Sequence, residues 1–330
     1  MEKVIEDYPL SSQVYVNDEV SWQARRTNDL MRCFVKRHMN KPFNIDQFRQ
    51  FASKVDFVSG RSVTDMQIAE VDANGVSAQW LTTTTKLQPQ RVILYFHGGG
   101  FCIHMPKTYN ALVAQLCRKL NANALVPDYR LAPEHPFPAG VNDCYQSYCW
   151  LLQQGYKAEN IIIAGDSAGG CLTLTTLQKI RDAGKRKPAA AVLLSPGTNC
   201  SIEDLMALEP NLESVDPMLN KQSLAAMINL YLPNEINQKD PLISPLYADY
   251  NGFPPLQCHV GSNELIFNHS ASAMKKAVDA GVEARLHIWK DMPHVHPLFS
   301  WLPESKQAID MMVEFMAKHL PDNNDEIANQ

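Results

Sequence analysis

The sequence has no surplus of positive charge. Its 330 residues carry 30 Lys and Arg against 35 Asp and Glu, a formal charge of −5. Nothing is left over to neutralise a phosphate backbone, so nucleic acid is not an expected partner. No stretch approaches the roughly 18–20 consecutive apolar residues of a membrane span. The opening residues, Met1-Glu-Lys-Val-Ile-Glu-Asp7, put acids where a secretion leader needs bases followed by an apolar core. There is no internal repeat and no low-complexity tract. The eight cysteines, at positions 33, 102, 117, 144, 149, 171, 200 and 258, form no C-x-x-C pair. Scattered through apolar runs, they are expected to be free thiols in a reducing, cytoplasmic setting.

What is present fits a globular chain: 45% of residues are apolar and 20% charged. Residues 1–60 read as amphipathic helix. Val63 to Trp80 alternates as strand on either side of an Asn74-Gly75 turn, within a hairpin expected over Thr64–Thr85. From residue 91 strands and helices alternate. Strands are expected at Arg91–Phe96, Ala122–Pro127, Asn160–Ala164, Ala189–Leu194, Leu256–Val260 and Arg285–Trp289. Helices are expected at Thr108–Leu120, Gly140–Gln154, Ala168–Ala183, Ser270–Ala280 and Glu304–Leu320. Such alternation predicts an α/β fold, a mostly parallel sheet with helices on both faces. Residues 199–238 break the rhythm with helical patches and no strand, as a lid or binding insertion would. The end, 321–330, is polar.

Two glycine-bearing motifs carry chemistry. Gly165-Asp166-Ser167-Ala168-Gly169 is G-x-S-x-G, placed after an apolar strand and before a helix. That context makes Ser167 a candidate nucleophile, with helix N-terminal amides beside it. His97-Gly98-Gly99-Gly100 follows another strand, where glycines let backbone N–H groups face a ligand. No G-K-[ST] follows, so it is not read as a phosphate loop.

These motifs, together with Asp128-Tyr-Arg-Leu-Ala-Pro-Glu-His-Pro-Phe-Pro-Ala139 and Asp240-Pro-Leu-Ile-Ser-Pro-Leu246, resemble the hormone-sensitive-lipase family of α/β-hydrolases, the bacterial family IV esterases. The resemblance runs from about residue 60 to 320. It implies an α/β-hydrolase core (61–198 and 239–320) under a cap made from residues 1–60 and 199–238. It also implies a serine carboxylesterase acting on short- to medium-chain esters without cofactor or metal. Relatives are often dimers, so a homodimer is a possible partner state beside the small apolar ester substrate.

Chain order in this fold is Ser, acid, His. His294, in Met292-Pro-His-Val-His-Pro297, matches the family's histidine. The neighbouring His296 completes an H-x-H pair, but no third ligand at metal spacing accompanies it. The acid departs from the usual Asp: Glu264 falls in its slot, and Asp291 is the alternative. The expected oxyanion donors are the amides of Gly98, Gly99 and Ala168, with Gly100 able to replace one of the glycines. Asp166, Asp128, Arg130, Glu134, His135 and Asp143 read as scaffolding. Trp22, Phe34, Met218, Leu219 and Met227 are cap residues that either line an acyl pocket or pack helices. Competing readings are a lactone hydrolase, a small-molecule-binding relative without catalysis and, more remotely, a peptidase.

Overall fold

The computed structural model describes residues 13–17, 19–59, 63, 66–83 and 90–321. Residues 1–12, 18 and 60 of the expected helical segment, residues 64, 65, 84 and 85 of the expected hairpin, and residues 322–330 of the expected tail lie outside them. Among the described residues nine strands form one sheet: β1 Gln13–Tyr15, β2 Met66–Asp72, β3 Ser77–Thr83, β4 Val92–Phe96, β5 Asn123–Pro127, β6 Ile161–Asp166, β7 Ala190–Leu194, β8 Leu256–Gly261 and β9 Ala284–Trp289. The order across the sheet is β1-β9-β8-β7-β6-β4-β5-β3-β2, antiparallel only where β3 meets β2 and β5. Asn74 and Gly75 turn the β2–β3 hairpin with φ of 61° and 85°.

The apolar runs are strands because both sheet faces are covered, and successive side chains go to opposite faces. Val92, Leu94 and Phe96 enter one core layer, with Val141 and Tyr148 of α4 (Ala139–Gln153), Leu174 and Leu177 of α5 (Ala168–Asp182), and Met274 of α9 (Phe267–Asp279). Ile93 and Tyr95 enter the other, with Leu112 and Leu116 of α3 (Pro106–Leu120) and Met312 and Met316 of α10 (Pro303–His319). These boundaries lie within one to three residues of the sequence-based expectations.

The order of the sheet positions the site. From β4 the chain steps to β5 on one side, then returns as β6 on the other. A crevice opens beyond the carboxyl ends of strands where the order reverses in this way. The loops that leave β4 and β6 there are His97–Gly100 and the Ser167 turn.

Two helical groups stand over this crevice. One is α1 (Trp22–Leu30), continued through a π-helical stretch, Met31–Lys36, and a last turn, Arg37–Met39, followed by α2 (Ile45–Ser59). The other is α6 (Ile202–Met206), α7 (Pro210–Val215) and α8 (Lys221–Tyr231). Lys36 Nζ staples the groups together, donating to the carbonyls of Glu213, Asp216 and Leu219. Ser223 Oγ reaches the Met39 carbonyl at 2.7 Å.

The all-helical reading of residues 1–60 needs one correction. β1 pairs in parallel with β9, Gln13 opposite Leu286 and Tyr15 opposite Ile288. Three residues are too few to show a period of two. The edge of the sheet, not the local pattern, makes this strand.

Candidate active site

Ser167 sits between β6 and α5 with φ 51° and ψ −116°, a backbone state that L-residues avoid. The surroundings enforce it. The Ser167 N–H donates to the Leu194 carbonyl of β7 at 2.8 Å. Gly169 lies so close to β4 that a Cβ there would run into the Phe96 and His97 carbonyls. Backbone strain at this turn holds the hydroxyl above the sheet.

The loop after β9 brings His294 to it. His294 Nε2 is 2.9 Å from Ser167 Oγ, and Nδ1 is 2.7 Å from Glu264 Oε2. Glu264 is buried, and its other oxygen accepts from Gly261 N at 2.6 Å and Ser195 Oγ at 2.7 Å. Burial disfavours the His294 imidazolium. The Glu264 charge and hydrogen bond, with the more remote Asp216 and Asp166, together outweigh it, and the pKa of His294 is raised above its ordinary value. Asp291 is turned elsewhere: its carboxylate accepts from Asn263 Nδ2 at 2.8 Å, and its carbonyl from Asn28. Ser195, which the sequence reading passed over, ties the acid to the histidine loop. Its Oγ donates to Glu264 and accepts the Val295 N–H at 3.1 Å.

The amides need one correction. The Gly98 N–H is already committed, donating to Asp166 Oδ1 at 2.9 Å, so it has no proton to offer an oxyanion. The same oxygen accepts from Tyr95 Oη at 2.8 Å. Burial pushes the Asp166 pKa up to about 6 against these bonds. The amides of Gly99, Gly100 and Ala168 have no partner among the described residues. Gly99 and Gly100 turn with φ of 107° and 59°. A Cβ on Gly99 would strike the Ile103 carbonyl, and one on Gly100 the Met227 sulfur.

A family model described as the alpha/beta hydrolase fold matches residues 93–298. The chain is 34% identical over 244 residues to an acetyl-hydrolase of Streptomyces hygroscopicus, covering 73% of this chain and 79% of that one. It is 32% identical over 254 residues to an esterase of Acinetobacter venetianus, covering 77% and 81%. A crystal structure of an esterase from the bacterial hormone-sensitive lipase family superposes with a TM-score of 0.83 at 36% identity, over 92% of this chain and all (100%) of that one. The chain belongs to the hormone-sensitive-lipase family of α/β-hydrolases. It is a carboxylic ester hydrolase.

In this hydrolase two cavities flank Ser167. The larger, ≈ 240 Å³, touches Ser167, His294, Gly99 and Gly100, and is walled by apolar side chains such as Met31, Val35, Phe51 and Leu298. The smaller, ≈ 50 Å³, touches Ser167, Ala168, Gly100, Leu205, Ile228 and His269, but not His294. Met227 and Leu224 stand in the walls of both. Of the cap residues expected at a pocket, Met218, Leu219 and Met227 line the larger cavity. Trp22 and Phe34 do not: they point outward, 71% and 66% exposed. Spacing marked them as apolar helix positions, but the inward face of that helix belongs to Met31, Val35 and Met39.

The scaffolding residues brace the loop after β5. Asp143 accepts from Arg130 N and Nε, both at 2.9 Å. Glu134 pairs with Arg49 of α2 through both oxygens, at 2.6 and 2.7 Å. His97, His104 and Asp128 place one ligand atom each within 4.8 Å of one another. The two imidazoles are stacked, 4.3 Å apart and 18° from parallel. Their in-plane lone pairs therefore do not converge on one ion, and His104 Nδ1 already pairs with Asp128 at 3.1 Å. His296, the other half of H-x-H, is buried against Trp289 and apart from the Ser167–His294–Glu264 chain.

Proposed function

We propose that this hydrolase cleaves short-acyl carboxylic esters through an acyl-enzyme on Ser167. The observation that carries the reading is the unbroken hydrogen-bond chain Ser167–His294–Glu264, set beside three unpartnered amides. His294 Nε2 takes the Ser167 proton as Oγ attacks the ester carbonyl. Glu264 fixes the tautomer through Nδ1 and stabilises the imidazolium. The amides of Gly99, Gly100 and Ala168 receive the oxyanion. Loss of one such donor costs on the order of 10²–10³ in turnover. The C–O bond then breaks, and the departing alkoxide takes the proton from His294 Nε2. Water, deprotonated by the same nitrogen, attacks the acyl carbon; the bond to Ser167 Oγ breaks, Oγ takes the proton back from His294 Nε2, and the acid is released.

The proton path sorts the two cavities. The leaving oxygen must meet His294 Nε2, so the alcohol occupies the larger cavity, which His294 borders. The acyl chain goes to the smaller one, past Ala168. Preferred substrates therefore join a short acyl group to a sizeable apolar alcohol.

Isomeric esters test this directly. Octyl acetate and ethyl octanoate have the same atoms and differ in which side is long. Octyl acetate should show a kcat/KM larger by roughly tenfold or more, the scale of a few misplaced methylenes. Ser167→Ala should abolish both activities. Preference for ethyl octanoate would reverse the assignment of the cavities. Equal rates for wild type and Ser167→Ala would remove the acyl-enzyme altogether.

A further inference from the structure

The outer face of the helix that roofs the large cavity is unlike the rest of this acidic protein. Trp22, Leu30 and Phe34 lie one helical turn or two apart and are 71%, 50% and 66% exposed. Between residues 22 and 41 the chain carries Arg25, Arg26, Arg32, Lys36, Arg37 and Lys41, but a single acid, Asp29. Arg32 and Lys36 serve the flank that meets the insertion, where Arg32 donates to the Val215 carbonyl at 2.9 Å and Lys36 to three others. Asp29 is 3.9 Å from Arg32. Arg25, Arg26, Arg37 and Lys41 are exposed and make no ion pair among the described residues.

We propose that this face docks the enzyme on an anionic lipid surface. A helix with an apolar stripe of Trp, Leu and Phe among arginines is the pattern that settles at the boundary between headgroups and acyl chains. The indole fits that boundary with its ring in the apolar zone and its N–H toward water. The charge argument selects lipid of one sign. A chain of formal charge −5 would be repelled by an anionic surface if its charge were spread evenly, and this cationic helix is the exception. The geometry supplies the purpose. Met31, Val35 and Met39 on the opposite side of the same helix line the large cavity. An apolar ester dissolved in lipid would thus meet the enzyme one helix diameter from its binding site.

Flotation of the full chain with vesicles tests the proposal. The protein should partition to equimolar phosphatidylcholine–phosphatidylglycerol vesicles about tenfold more strongly than to phosphatidylcholine alone, and high salt should remove the difference. The paired variants Trp22→Ser with Phe34→Ser, and Arg25→Glu with Arg26→Glu, should each lose about tenfold in partition. Hydrolysis of water-soluble p-nitrophenyl acetate reports that both remain folded, since neither pair touches the cavity. Ser167→Ala should bind vesicles as wild type does, which separates docking from hydrolysis. Wild type that ignores the anionic vesicles, or binding that survives both paired variants, would overturn the proposal. So would sedimentation showing self-association that the same variants abolish, for then the face belongs to a second copy of this chain.

Discussion

At the residue scale, the mechanism proposed above has the Glu264–His294 pair set the working pH. Catalysis needs His294 neutral, so activity falls as pH drops through its pKa. Burial lowers that pKa, and Glu264, with smaller help from Asp216 and Asp166, brings it above the ordinary histidine value. In Glu264→Gln the hydrogen bond can persist but the charge is gone. Burial then faces only the more remote Asp216 and Asp166, and the acid limb of kcat/KM should move to lower pH. The plateau should fall by on the order of 10²–10⁴. A limb that stays where it is in wild type would remove Glu264 as the partner that tunes the base. Ser195→Ala probes the next contact outward. Losing a hydrogen bond to a buried carboxylate should lower kcat about tenfold with little change in KM, and should shift the same limb. The elbow serine and its histidine were legible because the chemistry ties them to short motifs. Ser195 was not, since its contact with Val295 spans 100 residues. Nor did the glycine triplet reveal which amide Asp166 takes. That depends on how β4 and β6 sit side by side, and the motif reads the same for Gly98, Gly99 and Gly100.

At the scale of elements, the cap is held by a few polar crosslinks between helices far apart in the chain. Lys36 bridges the π-helical stretch to α7 and the loop after it, and Asp216 of that loop accepts the amides of Met218, Leu219 and Leu265 at 2.7, 2.8 and 2.7 Å. Leu265 is the residue after Glu264, so the roof and the Glu264 segment share one buried carboxylate. Lys36→Met leaves three carbonyls without their donor and should cost about 2 kcal/mol. Thermal unfolding followed by fluorescence would register it as a fall in Tm. KM for octyl acetate should rise by more than kcat falls, because the loosened roof serves binding and not proton transfer. An unchanged KM would show that the cap keeps its place without the lysine. The core strands and helices were readable because buried strands are continuous apolar runs and α4, α5 and α9 run into Gly155, Gly184 and Gly281. Strand β1 and the outward turn of Trp22 were not. Both are decided by what the rest of the molecule offers as a neighbour.

At the scale of the molecule, five histidines are buried in neutral form. Burial lowers His97 and His296 to about 3, His269 and His287 to about 4, and His259 well below its ordinary value. In the unfolded chain each binds a proton near pH 6.5. Between pH 6.5 and about 4 the unfolded state therefore holds more protons from these groups, and stability drops as pH falls. Asp166, raised to about 6, and Asp216 and His294, also raised, act in the opposite sense, but they are three groups against five. Tm measured from pH 7 to 5 should decline steeply, and His296→Phe should flatten the slope. A Tm that is flat across this range would mean that the histidines are charged in the native protein.

The N-terminal cap helix begins at Ser21, whose N–H and hydroxyl are both held by Glu304, 283 residues later. At roughly 5–20 residues per second, a ribosome takes on the order of 15–60 s to make the second partner after the first. Through that interval the nascent chain carries α1 without this partner. The serine elbow emerges midway, while the acid and the histidine are still unmade. Hydrolytic competence of the proposed kind thus waits for residue 294, and a helix made early is among the last to find its partner.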